Sequence, residues 1–306
     1  MKSYFDGKKA LVVINPISGK RTTKTQLFDI TDLFSVNGLE TTVYTTRCKG
    51  DATDIVTRRG RKYDIVVCRG GDGTFNEVVN GLMTIPPEKR PLLGYIPAGS
   101  TNDLARTLQI PINSNQEAID VILNGQPLWQ DMGLFNGETY WCYTASFGAF
   151  VDISYSTPQK MKNRWGRAAY FLQAPAAIRG IHPISLRLST AEGEELEGDF
   201  IFCAVSNSTS IAGTIKLSPR TVRLNDGRFE LLLARYPRGA AEAASIVSRV
   251  ARKDYGGDDS VYLLHTRRVE FTFEQPVPWT VDGEYAGDHT QVVVENVHNA
   301  VQVFRR

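Results

Sequence analysis

Residues Tyr63 to Leu82 read YDIVVCRGGDGTFNEVVNGL, and no other segment restricts the fold as tightly. Tyr63–Cys68 is a short run rich in β-branched side chains, the pattern of a buried strand. Two adjacent glycines, an acid, a third glycine and a threonine follow. Phe75, Val78, Val79 and Leu82 then recur at helical spacing. Strand, glycine turn and helix start are thus contiguous. Glycine lets the backbone come close to a ligand, and the first N–H groups of a helix have no partner within it. Such a turn suits phosphate oxygens. Asp72 conflicts with that use unless a cation or a transferable proton stands between carboxylate and phosphate, which points to chemistry on a metal nucleotide. Taken alone, the turn also fits a cluster of packing glycines. The Lys20 stretch reads NPISGKRT rather than GxxxxGK[ST], and no GxGxxG follows a strand.

Two further strand ends carry the same kind of turn. Leu11–Ile14 runs into Asn15-Pro16-Ile17-Ser18-Gly19-Lys20, and Leu92–Ile96 runs into Pro97-Ala98-Gly99-Ser100-Thr101-Asn102-Asp103. Each alone reads as an ordinary helix cap. Three in about the first hundred residues imply the carboxyl edge of an open parallel sheet, where ligands bind. Strands are expected at Ala10–Ile14, Glu40–Thr45, Asp64–Cys68 and Leu92–Ile96. Between and after them, helices are expected at Thr22–Val36, Ala52–Arg59, Thr74–Leu82, Asp103–Leu108 and Asn115–Leu123. The fold class is therefore α/β: a doubly wound, mostly parallel sheet domain over 1–128. Beyond Asn124-Gly125-Gln126-Pro127 the pattern changes to short β runs: Tyr140–Ser146, Ile184–Leu188, Phe200–Val205, Phe229–Ala234, Val269–Phe273 and Gln291–Val294. These predict an antiparallel β-sandwich or open barrel over 129–299, interrupted by helices near 160–178 and 240–251. An active site is expected in the cleft between the two domains.

Of the 306 residues, 42% are hydrophobic and 22% charged, an ordinary globular balance. No apolar run is long enough for a membrane span, and the amino terminus lacks a secretory signal pattern. Cys48, Cys68, Cys142 and Cys203 show no metal-type spacing and fit a reducing, cytoplasmic setting. A net charge of +2 gives no argument for nucleic acid. Arg58, Arg59, Arg61 and Lys62 read as a solvated face. Lys160, Lys162, Arg164 and Arg167 flank Met161 and Trp165, which fits a solvated helix or docking on an anionic bilayer equally.

The segments NPISGK, GGDGTFNEVVNG and IPAGSTNDLARTL together resemble the catalytic domain of the diacylglycerol kinase family, which includes sphingosine and ceramide kinases. The resemblance continues through DMG at Asp131, SYSTPQKMKNRWG, SNSTSIAG, RLNDGRF and VDGEYAG, over nearly the whole chain. It is greatest for soluble bacterial diacylglycerol kinases. The resemblance implies an ATP- and Mg²⁺-dependent lipid kinase, phosphorylating diacylglycerol at the inner face of the membrane to give phosphatidic acid. Phosphatidylglycerol or a sphingoid base are the alternative acceptors, and a catalytically silent lipid- or nucleotide-binding regulator is the alternative class. The oligomeric state is open, a homodimer included, and residues from about 300 to 306 are expected to return to the first domain.

The same resemblance implies site residues. Glu284 in Val281-Asp282-Gly283-Glu284 is the proton acceptor from the lipid hydroxyl, a role that asks for partial burial. Asp72 acts on the Mg²⁺–nucleotide side or supports the network around the base. Asp131 joins this network or caps the interdomain turn, and Lys20 neutralises phosphates or pairs with the acids. Backbone N–H groups of Asn15, Pro16, Ile17, Ser18 and Gly19 (Pro16 offering none), and of Gly71, Asp72, Gly73, Thr74, Phe75, Asn76 and Glu77, form the phosphate cradle, with Thr46 and Ser100 as further nucleotide contacts. Asp226, with the carbonyls of Arg223 and Arg228, forms a structural Mg²⁺ loop or a plain NDG hairpin turn. Asn225 stands where the family often has Asp, and Gln173 where close members have a lysine.

Overall fold

The alternating apolar runs of the first half become strands β1 (Lys9–Ile14), β2 (Glu40–Thr45), β3 (Ile65–Gly70) and β4 (Leu92–Pro97). They lie parallel in the order β2-β1-β3-β4, and Val303 near the carboxyl terminus pairs parallel with Leu93 at the far side of β4. Helices α1 (Thr23–Val36), α2 (Asp51–Arg59), α3 (Asp72–Met83), α4 (Asp103–Thr107) and α5 (Asn115–Asn124) connect and follow them. The order of the strands reverses between β1 and β3, and a doubly wound sheet opens a crevice at that switch point. All six residues of β3 are buried, which explains why the strand reads as a continuous apolar run rather than an alternation. The structure is a computed structural model that describes residues 4–18, 23–148, 182–211, 215–218, 221–255 and 259–306. The helix expected near 160–178 with its basic cluster, and Gly19, Lys20 and Gln173, lie outside the described residues.

The chain divides into two compact units. The first comprises Met1–Met132, Tyr140–Cys142 and Val297–Arg306, and the second Gly133–Thr139 and Tyr143–Asn296. Strand β5 (Gln126–Phe135) was not expected from sequence, and β6 (Thr139–Trp141) and β7 (Thr144–Gly148) divide what reads as one run. The second unit continues with β8 (Ile184–Thr190), β9 (Glu195–Ser206), the short pair β10 (Ser210–Ile211) and β11 (Ile215–Lys216), β12 (Phe229–Arg235), helix α6 (Ala240–Arg252), β13 (Val261–Thr266), β14 (Arg268–Val281) and the first part of β15 (Glu284–Arg305), whose residues from Val297 onward belong to the first unit. Its pairings are antiparallel: β13 with β12, β12 with β9, β9 with both β7 and β8, and β14 with β7, β8 and β15. Long strands β9 and β14 each serve three partners, so the sandwich is built from long strands shared between neighbours rather than many short ones. Phe147, Phe271, Phe273 and Trp279 fill its core, with Phe147 and Trp279 ring centroids 4.9 Å apart. Ile201, Phe202, Leu232 and Ile246 form a second apolar cluster beneath α6.

Candidate active site

In the first unit the three turns after β1, β3 and β4 are tied together by their own side chains. Asn15 Nδ2 donates to Thr74 Oγ1 at 3.1 Å, linking the first turn to the glycine turn, and Asn15 Oδ1 accepts from the N–H of Ile17. The glycine turn meets the third turn at van der Waals distance: a Cβ on Gly99 would stand 2.7 Å from the Cα of Gly71. Asn102, in the left-handed region at φ 50°, folds back so that its Oδ1 accepts from Gly99 N. Thr46 closes the β2 end by donating its N–H to Ile14.

The carboxylate of Asp72 accepts from the N–H groups of Asp103 at 3.1 Å and Leu104 at 3.3 Å. Negative charge at the start of a helix is favourable, so an acid that conflicts with an anion-binding turn is held in place by the first turn of α4. The cradle is narrower than the sequence suggests. Phe75 donates its N–H to Gly71 O and its side chain is fully buried. Asn76 spends its amide on Tyr140 O. Glu77 accepts from Gly50 N and Ala52 N, starting α2. Helix geometry leaves Gly71–Thr74 as the stretch whose N–H groups can face a ligand, which withdraws Phe75, Asn76 and Glu77 as backbone phosphate contacts.

A cavity of about 850 Å³ opens beside these turns, lined by Ile17, Asp29, Arg69, Gly99, Ser100 and the start of α5 among others. Arg69 was missed in the sequence reading. Its only signal there is a cation inside an apolar strand.

The side chain of Asp131 is fully buried, and its Oδ1 accepts from His298 Nδ1 at 2.9 Å and Asn299 N at 2.7 Å, which ties it to the turn at those two residues.

In the second unit Asp282 and Gly283, both at positive φ, form a tight turn between β14 and β15, with Val281 opposite Glu284. Asp282 Oδ1 accepts from Tyr143 N and Thr144 N, which fixes the turn on the start of β7. Glu284 is exposed, contrary to the partial burial expected of it. Asp226 Oδ1 accepts from Arg228 N at 3.1 Å in a turn that leads into β12, so no hairpin is formed there. Glu230, absent from the sequence reading, is almost fully buried. Burial, then the nearby Asp226 carboxylate, pushes its pKa up to about 8. Its Oε2 has no hydrogen-bond partner. Among the described residues no group of three or more His, Cys, Asp or Glu side chains is placed to hold a metal ion. None of their helices is long and apolar enough to cross a membrane.

Residues 9–135 match the family described as Diacylglycerol kinase catalytic domain, and residues 147–305 match the YegS C-terminal NAD kinase beta sandwich-like domain. A protein named Diacylglycerol kinase from Bacillus subtilis (strain 168) is 33% identical over 281 residues, 92% of this chain and 91% of its own length. Another of that name from Staphylococcus carnosus (strain TM300) is 33% identical over 92% of this chain and 90% of its own. A crystal structure of a diacylglycerol kinase from Bacillus anthracis str. Sterne superimposes with a TM-score of 0.74 at 21% identity, covering 98% of this chain and 97% of that one. A second structure from the same organism gives 0.81 at 22% identity, with 98% and 95% covered. These two show the fold, and the relatives at a third identity over nine-tenths of both chains show more: the chain belongs to the diacylglycerol kinase family and is a lipid kinase.

Proposed function

We propose that this kinase transfers the γ-phosphoryl group of ATP to the hydroxyl of diacylglycerol, giving phosphatidic acid and ADP. The observation that carries this reading is the near-complete alignment with relatives named Diacylglycerol kinase. The interlocked turns at the β1/β3 switch point support the nucleotide half. Asn15–Ser18 and Gly71–Thr74, with Thr46 and Ser100, cradle the phosphates. Phosphoryl transfer asks for positioning, charge neutralisation and a base. Asp72 faces the Mg²⁺–nucleotide side, and Glu284 takes the hydroxyl proton as the oxygen–phosphorus bond forms and the bond to ADP breaks. The oxygen donors of the Asp226 loop, with the carbonyls of Arg223 and Arg228 and the unsatisfied Glu230 oxygen, suit Mg²⁺ in kind. That ion would supply a structural charge there. The protein works in the cytoplasm and reaches its lipid from the inner leaflet through the basic residues near Trp165. Incubation with Mg²⁺-ATP and mixed micelles of diacylglycerol, phosphatidylglycerol or a sphingoid base tests the reading. Phosphatidic acid is the expected product. Phosphorylation of another lipid alone would reassign the acceptor, and no lipid product from folded protein would refute the function.

A further inference from the structure

Strand β9 runs out into Ser206-Asn207-Ser208, all fully buried. Ser206 Oγ and Asn207 N both donate to Tyr143 O at 3.1 Å, which pins the residue that precedes β7. Tyr143 is itself buried, and it meets the turn between β14 and β15 at two points. Its N–H donates to Asp282 Oδ1 at 3.0 Å, and its phenol hydroxyl donates to Asp282 O at 2.8 Å. Thr144 donates its N–H to the same Oδ1 at 3.1 Å and accepts from Asp282 N at 2.8 Å. The amide, the carbonyl and the carboxylate of Asp282 are thus all engaged by two adjacent residues. Asp282 stands at φ 50°, a left-handed backbone that non-glycine residues rarely adopt, and these four bonds hold it there. Gly283 follows at φ 81°, and a Cβ on it would lie 3.4 Å from the phenol oxygen, so the phenol rests against the turn. Glu284 is the next residue, opposite Val281 in the register of the two strands. Its side chain is exposed, so the backbone of this turn sets the point from which its carboxylate reaches. A misplacement of about 1 Å in a reacting group can cost about 10²-fold in rate.

We propose that Tyr143 and Asp282 are positioning residues for phosphoryl transfer, the phenol and the Asp282 carboxylate holding the turn so that the Glu284 carboxylate meets the lipid hydroxyl. The proposal rests on the reading of Glu284 as proton acceptor and names what keeps that acceptor in place. Steady-state kinetics of the whole chain with diacylglycerol micelles and saturating Mg²⁺-ATP, well below the melting temperature, test it beside ATP calorimetry. Tyr143→Phe should lower kcat about tenfold and leave the ATP dissociation constant and the KM for lipid at parental values. Asp282→Ala should lose more. Asp282→Asn should recover most of that loss, because its amide oxygen accepts the same two N–H groups and asparagine tolerates positive φ. In a Glu284→Gln background Tyr143→Phe should cost nothing further, since residues that act as a unit are not additive. Tyr143→Phe removes one oxygen and keeps the ring, so its part of the test stands even if Asp282→Ala fails to fold. A Glu284→Gln variant with parental kcat overturns the base reading and the proposal with it. Where Glu284→Gln does lose turnover, three results overturn the positioning role of Tyr143 alone: parental kcat with only an earlier melt, a loss that multiplies with that of Glu284→Gln, or weakened ATP binding instead. An Asp282→Asn variant as slow as Asp282→Ala overturns the positioning role of Asp282, because its charge and not its acceptor geometry would then be at work.

Discussion

Two carboxylates show how one residue type acquires opposite roles from its surroundings. Asp72 accepts two N–H groups at the start of α4, a bond that asparagine can also accept through its amide oxygen. Asp72→Asn should therefore leave the melting temperature nearly unchanged while removing most lipid phosphorylation. Asp72→Ala loses the cap as well and should cost about 1 kcal/mol in denaturant unfolding. Equal turnover for Asp72→Asn and the parent would make the acid purely structural. Glu230 has no such donors on its Oε2, and its folded pKa stands near 8 against an ordinary 4.5. The folded state holds this proton through that window while the unfolded chain releases it. Stability is thus fully present below the lower value and falls as pH rises toward 8. In chelator-treated buffer, Glu230→Gln should flatten the decline in melting temperature between those limits. A variant that declines as steeply as the parent would show that Glu230 is ionised throughout.

At the scale of elements, the parallel half was legible because each central strand is almost wholly buried and runs into a turn that contains glycine. Gly70 shows the physical demand: a Cβ there would stand 2.5 Å from Thr74 Cβ, whereas one on Gly73 would meet nothing within 4 Å. Gly70→Ala should destabilise by about 1–3 kcal/mol, the usual cost of overpacking. Gly73→Ala should unfold no earlier than the parent, because alanine favours a helix start over glycine, yet weaken nucleotide binding by filling the approach to the cradle. Thermal melts with and without ATP separate the two effects. The second half was less legible. Strand β5 mixes Gln, Pro, Trp and Asp and exposes its first residues, so neither alternation nor an apolar run marks it. Strands β14 and β15, of 14 and 22 residues, showed only their most apolar stretches in sequence, because long bent strands pass through polar, exposed segments. The tie between Asp131 and His298 spans 167 positions and has no local signature. Asp282 was visible only as a turn residue, its grip on Tyr143 being a tertiary contact.

For the molecule as a whole, the residues proposed for the nucleotide and for the proton fall in different compact units. The phosphate cradle of Asn15–Ser18 and Gly71–Thr74 is braced by contacts within the first unit. Glu284 belongs to the second, presented by a turn that Asp282 fixes onto β7. Nucleotide affinity and turnover should therefore separate under mutation. Glutamine at 284 keeps the size of the side chain and an acceptor oxygen, and gives up the charge that accepts a proton. The residue is exposed, so the exchange should leave the fold intact. Glu284→Gln should bind ATP as the parent does in calorimetry and lose about 10²–10⁴-fold in kcat with diacylglycerol micelles, the range of general-base catalysis. Loss of ATP affinity with kcat preserved would make Glu284 a binding or structural residue. The proton acceptor would then have to be sought at Asp72 or Asp131.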